Sequence, residues 1–111
     1  MIERVWYPGL ESHPGHDIAV RQMHGGFGGV LSVQLAGGAE AAKKFVDYTE
    51  IFTLAESLGG VESLIEVPAA MTHASVAGTT LQVPGNLVRI SVGIENADDL
   101  IADLKQALDR L

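Results

Sequence analysis

The sequence predicts an α/β domain: a mostly antiparallel sheet with helices packed on one face. Three observations carry that prediction. Short runs such as LSVQL and LVRIS alternate apolar with polar residues, the period of half-buried strands. The segments AEAAKKFVDY and ADDLIADLKQAL repeat apolar residues three and four apart, the period of amphipathic helices. The elements run β-α-β-α-β-β-β-α, and antiparallel pairing with the helices on one side is the simplest packing for that order.

Val5 to Tyr7 reads as a short strand, stopped by Pro8 and Gly9. Residues 11–16 are loop-like, with Pro14 and Gly15 as breakers. Asp17 to Met23 reads as a short helix with Ile18, Ala19, Gln22 and Met23 near one face, and Asp17 suits its positive end. Gly25, Gly26, Gly28 and Gly29 then surround Phe27. Their spacing fits neither GxGxxG nor the GK[ST] phosphate loop, and they precede a strand rather than a helix, so they read as a turn.

Val30 to Leu35 is a strand with Leu31, Val33 and Leu35 on one face. After a turn at Gly37 and Gly38, Ala39 to Tyr48 forms a helix lined by Ala42, Phe45, Val46 and Thr49. Ile51 to Ala55 is a further strand, Gly59 and Gly60 break the chain, and Ser63 to Val67 resumes extended. Pro68 to Pro84 has no strong period and reads as mixed loop. Leu87 to Val92 is the clearest strand. Asn96 is a good N-cap for the last helix, Asp98 and Asp99 suit its first turn, and Leu100, Leu104, Ala107, Leu108 and Leu111 form its apolar stripe.

The 111 residues fit one domain, and 47% apolar with 19% charged residues is a globular composition. The formal charge of -7, with no basic stripe, argues against nucleic-acid binding. No cysteine is present, which excludes disulfides, zinc–thiolate sites and thiol catalysis. With no apolar run of membrane-spanning length and no apolar leader, a cytoplasmic protein is expected.

Few side chains carry chemistry. His13 and His16 are three apart, but Pro14 and Gly15 between them argue against a helical metal pair; with His24 and His73 they read as loop-packing residues. No serine sits in a nucleophile elbow. Lys43, Lys44 and Lys105 fall on polar helix faces and none resembles a desolvated Schiff-base amine. Arg89 differs, because a guanidinium in mid-strand needs a partner. That partner is either Glu66 or Glu95, or a substrate carboxylate held in a bidentate clamp. Glu56 and Ser57 end the apolar run IFTLA just before the glycine turn, a common place for a site.

The segment FTLAESLGGVESLIE, followed by VPAAMTHAS, resembles the signature of the cystathionine γ-synthase and γ-lyase group of pyridoxal-phosphate enzymes of cysteine and methionine metabolism. VWYPGLESHPGHDIAVRQM, GGFGGVLSVQL and LVRISVGIENADDLIADLKQAL resemble further stretches of that family in the same order. Together they cover nearly the whole chain.

The resemblance implies the small C-terminal domain of an aspartate-aminotransferase-type fold, spanning residues 1–111. The absent N-terminal domain would hold pyridoxal phosphate and its lysine. It implies that Arg89 binds the substrate α-carboxylate, that Ser57 lies beside that carboxylate, and that Glu56 lies near the substrate side chain. Glutamate there is similar to the γ-synthase and γ-lyase members; methionine γ-lyases and cystathionine β-lyases usually differ. The chain alone is then expected to bind no cofactor, to lack activity, to need the missing domain as partner, and to form homo-oligomers. The alternatives are a subunit of a split enzyme and a non-catalytic binding or assembly module.

Overall fold

The structure is a computed structural model and describes residues 1–71 and 82–111. Its elements are β1 (Ile2–Trp6), α1 (His16–Gln22), β2 (Val30–Leu35), α2 (Gly38–Tyr48), β3 (Thr53–Leu54), β4 (Leu64–Glu66), α3 (Pro68–Met71), β5 (Leu87–Ser91) and α4 (Ala97–Asp109). The order matches the expected one except for α3, a single turn opening at Pro68, where a proline is well tolerated. The remainder of the segment expected to be loop, residues 72–81 with His73, lies outside the described residues.

The five strands are ordered β1-β2-β5-β4-β3, so β5 is central. The pairs β1–β2, β2–β5 and β4–β5 are antiparallel, whereas β3–β4 is parallel. The sheet is therefore mixed, which corrects the expectation of a mostly antiparallel one. The cause is the link between the two strands: it loops back through Gly59 and Gly60, so Thr53 and Leu64 start side by side.

Register decides which side chains share a face. Val33 pairs with Val88, and Ile90 pairs with both Leu31 and Ile65. These apolar positions join Ala42, Phe45 and Val46 of α2 and Leu100 and Ala107 of α4 in one core. Both amphipathic helices thus cover one side of the sheet, as the sequence predicts. The opposite face carries Ser32, Gln34, Leu87, Arg89 and Glu66.

Asn96 caps α4, its Oδ1 accepting the Asp99 N–H at 3.1 Å. Deeper in α4, Asp103 is buried although it reads as a polar break in the apolar stripe. Its carboxylate accepts the backbone N–H groups of Glu50 (2.7 Å), Ile51 (2.8 Å) and Phe52 (3.1 Å), joining α4 to the chain that leaves α2. Burial alone pushes this carboxyl up. The N–H groups of Glu50, Phe52 and Ile51, with Gln106, outweigh burial and hold it below its usual range. A depressed folded-state value contributes stability that is present above the unfolded value of about 3.9 and lost as pH falls through the folded one. Asp103→Asn is therefore expected to cost about 1–3 kcal/mol near neutral pH. The deficit should shrink as pH falls below about 4. Urea midpoints of both chains across that range check it.

Candidate functional site

The site is built on the central strand. Arg89 projects from the middle of β5 onto the face away from the helices. Trp6, Ser32, Arg89 and Glu66 pair in turn across β1, β2, β5 and β4, forming one row over four strands. At its far end, the Arg4 guanidinium lies 3.6 Å over the Trp6 ring, and the Trp6 indole N–H donates to Gln34 at 2.8 Å.

Of the two carboxylates nominated for Arg89, the structure selects Glu66. Arg89 Nη1 is 3.0 Å from Glu66 Oε1, and the side chains are 17% and 1% exposed. Glu66 sits directly across the β4–β5 ladder. Glu95 lies beyond the end of β5 and is engaged elsewhere.

Arg89 Nη2 also donates to the carbonyl oxygens of Glu56 (2.6 Å) and Ser57 (3.4 Å). The three residues singled out from the sequence therefore come together. Glu56 and Ser57 reach Arg89 through their backbone, and their side chains lie on an exposed loop. The strand expected over Ile51 to Ala55 contracts to Thr53–Leu54, so this pair sits in the following loop rather than at a strand end. A guanidinium has five N–H donors. Nη1 faces Glu66 and Nη2 bonds two carbonyls, so both terminal nitrogens are engaged within the chain.

The glycine-rich turn is loop framework. Gly25, Gly26 and Gly28 adopt positive φ values of 81°, 146° and 89°. Phe27 between them packs edge-on against Tyr7 and is tilted against His16. The His16 Nδ1 lies 2.8 Å from the Pro8 carbonyl, and His13 Nδ1 accepts the Gly15 N–H at 3.0 Å. Both histidines thus play the loop-packing part expected of them. No cluster of three or more metal-ligating side chains occurs among the described residues.

The lysines do not fit a Schiff-base site. Lys43, Lys44 and Lys105 are all exposed. Lys105 donates to Asp109 at 2.8 Å, and that hydrogen bond and charge push its ammonium up, the wrong direction for a nucleophilic amine. No helix among the described residues is long and apolar enough to cross a membrane.

Over residues 1–109 the chain matches the Cys/Met metabolism PLP-dependent enzymes. It belongs to that family. It is 60% identical to a cystathionine gamma-synthase of Mycobacterium leprae over 97% of its own length and 28% of that protein's. It is 54% identical to a cystathionine gamma-lyase of Saccharomyces cerevisiae over 96% of this chain and 28% of the relative. A cystathionine beta-lyase of Lactococcus lactis is 53% identical over 98% of this chain and 29% of the relative.

Among solved structures, metB from Corynebacterium glutamicum superposes with a TM-score of 0.95 at 60% identity, covering 98% of this chain and 28% of that one. A cystathionine gamma synthase from Xanthomonas oryzae pv. oryzae, in complex with aminoacrylate and cysteine, gives 0.87 at 50% identity over 99% and 29%. The chain thus spans little more than a quarter of these relatives' length. Relatives with three different reaction names are all 53–60% identical to this chain, so likeness alone does not choose the reaction.

Proposed function

We propose that this chain is the C-terminal domain of a pyridoxal-phosphate enzyme of transsulfuration, of the cystathionine γ-synthase or γ-lyase type. In this reading it supplies the substrate-carboxylate side of the active site and is inactive alone. The cofactor and its lysine belong to the remaining three quarters of the enzyme. One observation carries the reading: a half-buried arginine at the centre of the open sheet face, held by a buried glutamate on one terminal nitrogen and by two loop carbonyls on the other. Leu58, Val61 and Ile94, all exposed on the loops beside Arg89, give the rest of the enzyme an apolar surface to rest on.

Joining this chain to the complementary part of the Corynebacterium glutamicum relative tests the reading. Activity on cystathionine or a homoserine derivative should appear with the joined chain and be absent from either part. A joined, folded chain that binds the cofactor yet stays inactive would favour a non-catalytic assembly role.

Within this reading Glu56 selects the substrate. A carboxylate near the substrate side chain attracts the distal amino group of cystathionine and finds no such partner in uncharged methionine. In the joined enzyme, Glu56→Val is expected to lower kcat/KM for cystathionine more than fivefold and to leave methionine nearly unchanged. Fivefold is the threshold because Glu56 is exposed and an exposed ion pair contributes only about 0–1 kcal/mol, so a smaller drop would not exceed what a solvated pair supplies. An equal, large loss on both substrates would show that Glu56 supports the loop rather than choosing the ligand.

A further inference from the structure

Glu95 lies outside the Arg89 ion pair, yet its carboxylate takes both donors of one buried residue. Its Oε2 accepts the Ser63 N–H at 3.0 Å and its Oε1 accepts the Ser63 hydroxyl at 2.7 Å. Ser63 is fully buried. Its Oγ in turn accepts the Gly93 N–H at 2.8 Å. Two further bonds run in parallel: the Ile94 N–H to the Val61 carbonyl at 2.9 Å, and the Gly59 N–H to the Ser91 hydroxyl at 2.8 Å. Residues 59–63 are thereby stapled to residues 91–95, the end of the strand that carries Arg89.

The approach is close enough to require glycine at position 93. A Cβ there would collide with the Val61 carbonyl and come within 2.6 Å of Glu95 Oε1. The hydrogen bonds from the Ser63 N–H and then its hydroxyl hold the Glu95 carboxyl below its usual range, so it stays ionised at neutral pH.

We infer that Glu95, acting through Ser63, is a positioning residue for the Arg89 guanidinium. The loop pinned by this staple is the one whose Glu56 and Ser57 carbonyls take Arg89 Nη2. Those carbonyls lie two and three residues ahead of Gly59, the first stapled position. Releasing the staple frees the loop, and the guanidinium loses its grip on one side while keeping Glu66 on the other. The staple thus sets the angle at which the guanidinium faces a ligand. This inference deepens the carboxylate-binding reading and rests on it for its purpose, but the coupling from Glu95 to Arg89 is measurable without any ligand.

The experiment is nitrogen-15 NMR on the full 111-residue chain, wild type against Glu95→Ala, Glu95→Gln and Ser63→Ala. Two quantities are read: rotation of the Arg89 guanidinium in the free chain, and the shift of its Nε–H on titration with acetate. In the free chain, Glu95→Ala and Ser63→Ala are expected to speed Arg89 rotation by roughly tenfold, the scale of one lost charge-assisted hydrogen bond. Glu95→Gln keeps one acceptor oxygen and should fall between. Signals from the Arg4 and Arg110 side chains, remote from the staple, should not change.

If Arg89 rotation is unchanged in all three variants, with the Gly59 amide newly exposed to exchange, the loop moves without Arg89 and the inference is overturned. If one alanine variant does not fold, the glutamine variant decides on the same reading. Failure of wild-type Arg89 to respond to acetate would count against the carboxylate site and leave the free-chain comparison to judge the positioning role.

Discussion

Arg89→Ala should destabilise the chain by about 3–5 kcal/mol, the cost of leaving one partner of a buried ion pair behind. The magnitude follows from the asymmetry of the pair. The Glu66 side chain is 1% exposed and the Arg89 side chain 17% exposed. Removing the arginine takes the opposite charge away from a carboxylate that is almost wholly buried. Removing the glutamate leaves a guanidinium that already meets solvent and still holds the Glu56 and Ser57 carbonyls.

Glu66→Ala is accordingly expected to cost less than Arg89→Ala, and much of its cost to come from the cavity. The pair itself contributes little net stability, because desolvating both charges offsets their attraction. The double variant Arg89→Met/Glu66→Leu should therefore return to within about 1 kcal/mol of the wild type, or exceed it. Urea unfolding of the four chains measures all of this. Additive single-variant losses in the double variant would mean that the two side chains stabilise the sheet independently.

What was legible in the sequence, and what was not, follows from the range of the interactions involved. Strand β2 is found at Val30–Leu35, where the alternation placed it, because a strand with a neighbour on both sides and one buried face shows the full period-two pattern. The Asn96 cap was legible because capping is a contact across three residues.

Strand β3 shrank to two residues because it lies at the edge and pairs only with β4, so nothing beyond Leu54 holds it extended. The choice of Glu66 over Glu95 was not legible, because it depends on register between strands more than twenty residues apart. Asp103 was missed although a signal existed. It stands on the buried side of α4, three residues after Leu100 and four before Ala107. A carboxylate at such a position implies donors across the interface, and only the fold shows them to be the backbone N–H groups of residues 50–52. Arg89, Glu56 and Ser57 were recognisable as candidates; that they meet through backbone carbonyls was not.

In the enzyme joined from this chain and the complementary part of the Corynebacterium glutamicum relative, Arg89→Ala should lower kcat/KM for an amino-acid substrate by about a hundredfold or more. Truncating one member of a buried, hydrogen-bonded charge pair costs about 2–5 kcal/mol, and each ~1.4 kcal/mol is tenfold. Arg89→Lys should rescue little. A lysine ammonium is a point charge and cannot bond Glu66, the two loop carbonyls and a planar carboxylate from one rigid fork.

Because Arg89 also carries fold stability, loss of activity alone does not assign its role. The Arg89→Met/Glu66→Leu variant separates the two, since it should be folded and stable yet as impaired as Arg89→Ala. A substrate analogue lacking the α-carboxyl group gives the second control. The wild type should turn it over poorly, and the arginine variants should turn it over no worse than the wild type does. Near-wild-type kcat/KM on the amino acid in both Arg89→Ala and Arg89→Lys would make Arg89 a purely structural partner of Glu66. An equal loss on both substrates would place its effect on the shape of the site, with carboxylate recognition supplied from elsewhere in the assembled enzyme.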